Sequence, residues 1–134
     1  MKSIVLDTNI CIYALKGNTK VLDRLLSRPP STVAVSVITE GELRTGAAKS
    51  GAPTKTLTRL ESFLQPIQIL PFTSEDARTY AKVRAKLERA GTPIGPLDML
   101  IGAHALGRNM TLVTNDRREF SRIAGLSLEN WAEG

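Results

Sequence analysis

The 134-residue chain has one cysteine, one histidine and six aromatic residues: one Trp, two Tyr and three Phe. With Cys11 alone, no intrachain disulfide can form. With Cys11 and His104 as the only sulfur and imidazole ligands, no zinc site built on nitrogen and sulfur can be assembled. The aromatic residues are not interleaved with basic ones, which argues against a base-stacking platform as the main mode of nucleic-acid recognition. No charged-then-apolar leader and no long apolar run is present, so a cytoplasmic protein without a membrane span is expected. Phosphate-binding glycine loops, a Ser/His/Asp order and histidine pairs are missing too, which removes three common routes to nucleotide binding, acyl transfer and transphosphorylation.

What remains is charge and pattern. Eighteen Lys and Arg against thirteen Asp and Glu leave a net charge of +5, which favours an anionic partner such as nucleic acid. Short apolar runs rich in branched residues, "SIVL", "TVAVS", "IQIL" and "TLVT", read as buried strands, with "LSLEN" as a possible fifth. Helical patterns separate them. The clearest is "TSEDARTYAKVRAKLERAG", with a capping box at Thr73 and Asp76, a stripe of Ala77, Tyr80, Val83 and Leu87, and a stop at Gly91. Buried strands alternating with helices predict a single α/β domain whose central, mainly parallel sheet of four or five strands carries helices on both faces. In such sheets ligands gather beyond the carboxyl ends of the strands.

Acids stand at those ends. Asp7 follows the first strand, where a carboxylate needs hydrogen bonds, a cation or a raised pKa. Its bland reading is the N-cap of the next helix. "TLVTND" repeats the arrangement, with Asp116 as site residue or simple turn residue. Asp98 lies on one helical face with Ile101, Gly102 and Ala105, an odd place to solvate a charge, although a first-turn acid also favours the helix dipole. In "TEGELRTG", Glu40 can pair with Arg44 one turn on, which leaves Glu42 as the inward candidate. His104 and Cys11 read as core residues, His104 on the face of Leu97, Leu100 and Ile101.

Converging carboxylates repel one another, and a divalent cation relieves that conflict; all-oxygen ligands suit Mg²⁺ or Mn²⁺. The basic stripe of Arg78, Lys82, Lys86 and Arg89 is more often a solvated face, whereas Arg117, Arg118 and Arg122 beside Asp116 are the stronger phosphate-binding candidates.

Taken together, "LDTNI", "ITEGEL", "PIGPLDMLIGAHAL", "TLVTNDRREF" and "GLSLENW", in that order, resemble the PIN-domain ribonucleases, and within them the VapC toxins of bacterial toxin–antitoxin pairs. The resemblance implies one PIN domain over residues 1–134, with Asp7, Glu42, Asp98 and Asp116 as catalytic acids. It implies Mg²⁺ or Mn²⁺ held by Asp7, Asp98, Asp116 and Glu119, the last two competing for the fourth position. Thr8, Asn9, Thr114 and Asn115 would be supporting polar groups. Further implied are a type II toxin, an endoribonuclease acting on tRNA with the initiator tRNA anticodon loop favoured, a VapB-type antitoxin, and homodimers within the complex. Two rivals predict other residues. A catalytically inactive RNA-binding PIN-like module would have lost acids that are all present, and a phosphohydrolase with a strand-end Asp would carry a second acid where Asn9 stands.

Overall fold

The computed structural model describes residues 2–132. Five strands, β1 (Ile4–Leu6), β2 (Val33–Ser36), β3 (Gln68–Leu70), β4 (Thr111–Val113) and β5 (Leu128–Glu129), form one sheet in the order β3-β2-β1-β4-β5. Every pairing is parallel, with Val5 opposite Ala34 on one side and Leu112 on the other.

The crossovers are helical. α1 (Thr8–Leu15) and α2 (Thr19–Leu26) join β1 to β2, and α3 (Val37–Lys49) and α4 (Pro53–Leu64) join β2 to β3. α5 (Ser74–Arg89) and α6 (Pro96–Gly107) return to β4, and the single turn α7 (Arg117–Phe120) leads to β5. The chain steps outward from β1 to β3, then jumps back across β1 to β4. With crossovers of one hand, that reversal must place the later helices on the opposite face.

The two cores record it. Ile4, Leu6, Val33, Val35 and Val113 pack with Ile10, Val21, Leu43 and Leu60 of α1–α4. The alternate positions Val5, Ala34 and Leu112 pack with Val83, Leu87, Ile101 and Phe120 of α5–α7. Both faces of each inner strand are therefore apolar, which is why these strands read as continuous runs.

Two details depart from the sequence reading. Ala77 is exposed, and the buried start of the α5 stripe is Asp76, 3% exposed. Its carboxylate closes the capping box with Thr73 and accepts from Arg108 Nε and Nη2 at 3.0 and 2.9 Å, so the charge is paired rather than solvated. Those bonds from Arg108 hold the Asp76 carboxyl far below the usual carboxylate range. Leu97, placed with His104 on an apolar face, is 46% exposed instead, in the first turn of α6, whose buried side chains begin at Met99. His104 itself is fully buried, 2.8 Å from Ser36 Oγ through Nδ1 and edge-on to Phe72. Cys11 is buried in the α1 core, where burial pushes its thiol pKa far up.

Candidate metal centre

The order of strands makes the gap between β1 and β4 the switch point, where successive connections leave in opposite directions and open a crevice at the carboxyl ends. Asp7 sits at its lip. Its N–H donates to Val113 O at 2.9 Å, continuing the ladder one step past β1, while its side chain caps α1. Oδ1 accepts from the Thr8 N–H at 2.8 Å and Oδ2 from Thr114 Oγ1 at 2.9 Å. Both oxygens are satisfied, yet burial to 3% exposure still raises the carboxyl pKa. The Thr114 and Thr8 bonds oppose that rise, and the charges of Glu42 and Asp116 add to it.

Thr114 joins two acids. Its hydroxyl donates to Asp7 and accepts from the Asp116 N–H at 2.9 Å. Asp116 in turn caps α7, its Oδ1 accepting from the Glu119 N–H at 3.2 Å. The capping role does not compete with a site role, because it fixes both acids relative to β4. Across the crevice, Thr8 Oγ1 lies 2.7 Å from Glu42 Oε1 and 3.1 Å from Thr39 Oγ1. With one hydroxyl proton, Thr8 donates to Glu42 and accepts from Thr39.

Asp98 enters from the first turn of α6, which starts at Pro96 behind Gly95. Its pKa is pushed up to about 7, first by burial, then by the negative charges of Asp7, Glu119 and Glu42, and by a hydrogen bond with Glu119. Carboxylate oxygens of Asp98, Asp116 and Glu119 all lie within 4.8 Å of one another. An octahedral Mg²⁺ with oxygens at about 2.0–2.1 Å would set neighbouring ligands about 3 Å apart and opposite ones about 4 Å apart. Three acids from α6 and the α7 turn thus stand close enough for a small, hard cation to draw together with modest side-chain adjustment, and the donor set is wholly oxygen. Asp7 and Glu42 flank this group and act on it through charge.

The PIN domain family profile matches residues 4–126. The tRNA(fMet)-specific endonuclease VapC of Salmonella typhimurium is 38% identical over 131 residues, covering 98% of this chain and 99% of the relative. Ribonuclease VapC2 of Rickettsia felis is 40% identical over 129 residues, covering 95% and 96%.

The chain belongs to the VapC family of PIN-domain proteins.

The fold agrees along its whole length. A chain of the crystal structure of DNA-bound VapBC from Salmonella typhimurium superposes with a TM-score of 0.93 at 39% identity, covering 98% of this chain and 99% of that one. In this PIN domain the remaining polar candidates divide. Asn115 Nδ2 donates to Tyr13 OH at 3.0 Å, and its buried Oδ1 has no partner among the described residues. Asn9 is exposed on α1, and among the described residues no hydrogen bond ties its side chain to the acids. Arg117 and Arg118 are exposed on α7, and Arg122 donates from Nη1 to Pro93 O at 2.9 Å. Two further residues matter that the sequence pattern does not single out. Thr39 stands one turn before Glu42 and holds Thr8; the Thr-x-x-Glu spacing on α3 is the signal that could have found it. Ser36 caps α3 through Ile38 N–H while contacting His104. No spacing could reveal that contact, because its partner lies 68 residues away. No helix among the described residues is long and apolar enough to cross a membrane.

Proposed function

We propose that this protein is the toxin of a type II toxin–antitoxin pair, an endoribonuclease that hydrolyses tRNA phosphodiester bonds with Mg²⁺ or Mn²⁺. The observation that carries the reading is the convergence of Asp98, Asp116 and Glu119 beside Asp7 and Glu42. In this reading Asp98, Asp116 and Glu119 would hold the cation, with Asp7 as a further ligand from beside their cluster, and Asp7, Glu42, Asp98 and Asp116 would be the catalytic acids. When bound, the cation acidifies an attacking water and neutralises charge on the phosphate oxygens.

The chain's own residues do the rest. Asp7 is held still by Thr8 N–H and Thr114 Oγ1, so it does not reorganise as charge builds on the phosphate. Thr8 orients Glu42 at the crevice wall, where the free carboxylate oxygen can accept a proton from water. Asp98, whose burial raises its pKa to about 7, would hold the cation as the carboxylate, so its proton and the cation would compete for the same oxygens. Overall, one P–O bond forms from water as one ester P–O bond breaks, leaving a phosphate monoester and a hydroxyl. The Salmonella relative's specificity for tRNA(fMet) supports initiator tRNA as substrate.

The same kinship supports a VapB-type antitoxin, since VapBC complexes of Salmonella typhimurium and Rickettsia felis are solved relatives, and the reading includes toxin homodimers within that complex. A groove between α1, α3 and α4, lined by Ile12, Leu43, Ala47 and Leu60 and reaching Glu42, suits an amphipathic antitoxin helix.

The test is cleavage of total tRNA by antitoxin-free protein with Mg²⁺ or Mn²⁺, with EDTA, and in the Asp98→Asn variant. Discrete fragments are expected only with cation and intact Asp98, the variant losing at least about 100-fold in rate. Undiminished cleavage by Asp98→Asn, or cleavage in EDTA, overturns the reading.

A further inference from the structure

Between α5, α6 and the turn that follows α7 lies a cavity of about 210 Å³, separate from the acidic crevice. Its floor is apolar, made by Val83, Leu87 and Leu106, and its rim carries three cations, Lys82, Lys86 and Arg122. Lys82 and Lys86 are one helical turn apart and exposed. Their helix also carries Arg84, but that cation is paired with Glu88 at 2.7 Å on another face. Lys82, Lys86 and Arg122 have no carboxylate partner among the described residues.

Arg122 is the informative member. A solvated arginine sweeps many rotamers, whereas this guanidinium is tied to Pro93 O at 2.9 Å while its side chain lines the cavity. The tie also joins the turn just after α7, which carries Glu119, to the loop that leads into α6, which carries Asp98. Arg117 and Arg118, next to Asp116 in the chain, are exposed on α7, and Arg78 and Arg89 are exposed on α5 at helical spacing from Lys82 and Lys86, so the cavity's three cations lie in a chain region rich in further exposed ones.

We propose that this cavity is a second RNA contact, in which phosphates of the substrate strand outside the scissile bond lie among Lys82, Lys86 and Arg122 while sugar carbons rest on Val83, Leu87 and Leu106. The proposal rests on the ribonuclease reading above. Its logic is electrostatic: an acidic centre repels the polyanion it must cut, and cations placed off the centre supply affinity without disturbing the ligands. Phosphate contacts of this kind position a strand and carry no sequence information.

The test is fluorescence anisotropy with a labelled initiator tRNA transcript, titrated at several salt concentrations, on proteins that all carry Asp98→Asn so that the RNA stays intact. Each neutralised phosphate contributes about 0.7–0.9 to the slope of log K against log salt, so Lys82→Gln with Lys86→Gln should reduce that slope by about 1.5. Lys20→Gln with Lys55→Gln, on α2 and α4, should leave it unchanged, and thermal melts check that both pairs fold. Equal slopes for the two pairs overturn the second contact, as does loss of antitoxin binding in the α5 pair with RNA binding intact. If the wild-type protein cleaves tRNA in either case, the ribonuclease reading stands alone; a wild type that neither binds nor cleaves RNA refutes both.

Discussion

Asp98 shows how a single residue can carry opposite instructions. As a first-turn acid it favours its helix, and as one of several converging carboxylates it is penalised for being charged. The sign of the pH dependence comes from the second effect. An unfolded Asp titrates near about 3.9, and the folded, metal-free protein holds the Asp98 proton up to about 7. Between those values the folded state binds more protons than the unfolded one, so this group's stabilisation is complete below about pH 4 and fades as pH rises to about 7. Asp7, also raised, contributes with the same sign. In EDTA, the melting temperature should fall across that interval more steeply for the wild type than for Asp98→Asn, and saturating Mg²⁺ should flatten the difference. Parallel curves for the two proteins in EDTA would refute the assignment of that proton to Asp98.

Among elements, the decisive contact is between α6 and the segment after β4. Gly102 lies one turn beyond Asp98 on the same face, and a Cβ there would meet Ile123 Cδ1 at 2.5 Å and Phe120 Cδ1 at 3.3 Å. The absence of a side chain lets the α7 turn seat closely enough for Asp116 and Glu119 to reach Asp98. Gly102→Ala should cost about 1 kcal/mol, since Ile123 Cδ1 is a movable chain end and the buried Phe120 ring is the contact that cannot easily give. It should also weaken Mg²⁺ binding, measured by calorimetry, because the turn is displaced with its acids. Adding Ile123→Val, which deletes Cδ1, should recover much of both. A Gly102→Ala protein with native Mg²⁺ affinity would show that the seating does not govern the site. In the sequence, this glycine is visible only as a member of Asp98's helical face; the neighbour that requires it is contributed from beyond β4.

At the scale of the molecule, His104 links the far helices to the sheet. Its Nδ1 is 2.8 Å from Ser36 Oγ, which caps α3, and its Nε2 is 3.5 Å from Asp76 Oδ2, which Arg108 also holds. Burial lowers its pKa, so the ring is neutral at physiological pH and Ser36 can donate to Nδ1 while Nε2–H faces Asp76. His104→Leu should destabilise by about 2–4 kcal/mol in urea unfolding, since it strands polar partners in a packed interior. An unchanged midpoint would mean that the contact contributes only packing.

The strands, their parallel order and the two-sided core were legible in the chain because buried parallel strands must be apolar on both faces and their crossovers must be helical. Asp7, Asp98 and Asp116 could be singled out because each interrupts an apolar pattern with a charge that needs a reason. Tertiary structure alone decided the rest. That Asp116 and Glu119 both approach Asp98, that Thr114 bridges Asp7 to Asp116, and that Asp76 rather than Ala77 opens the α5 stripe depend on partners tens of residues away. Periodicity reports which face a residue occupies along its own element; only the packing of one element on another determines what that face meets.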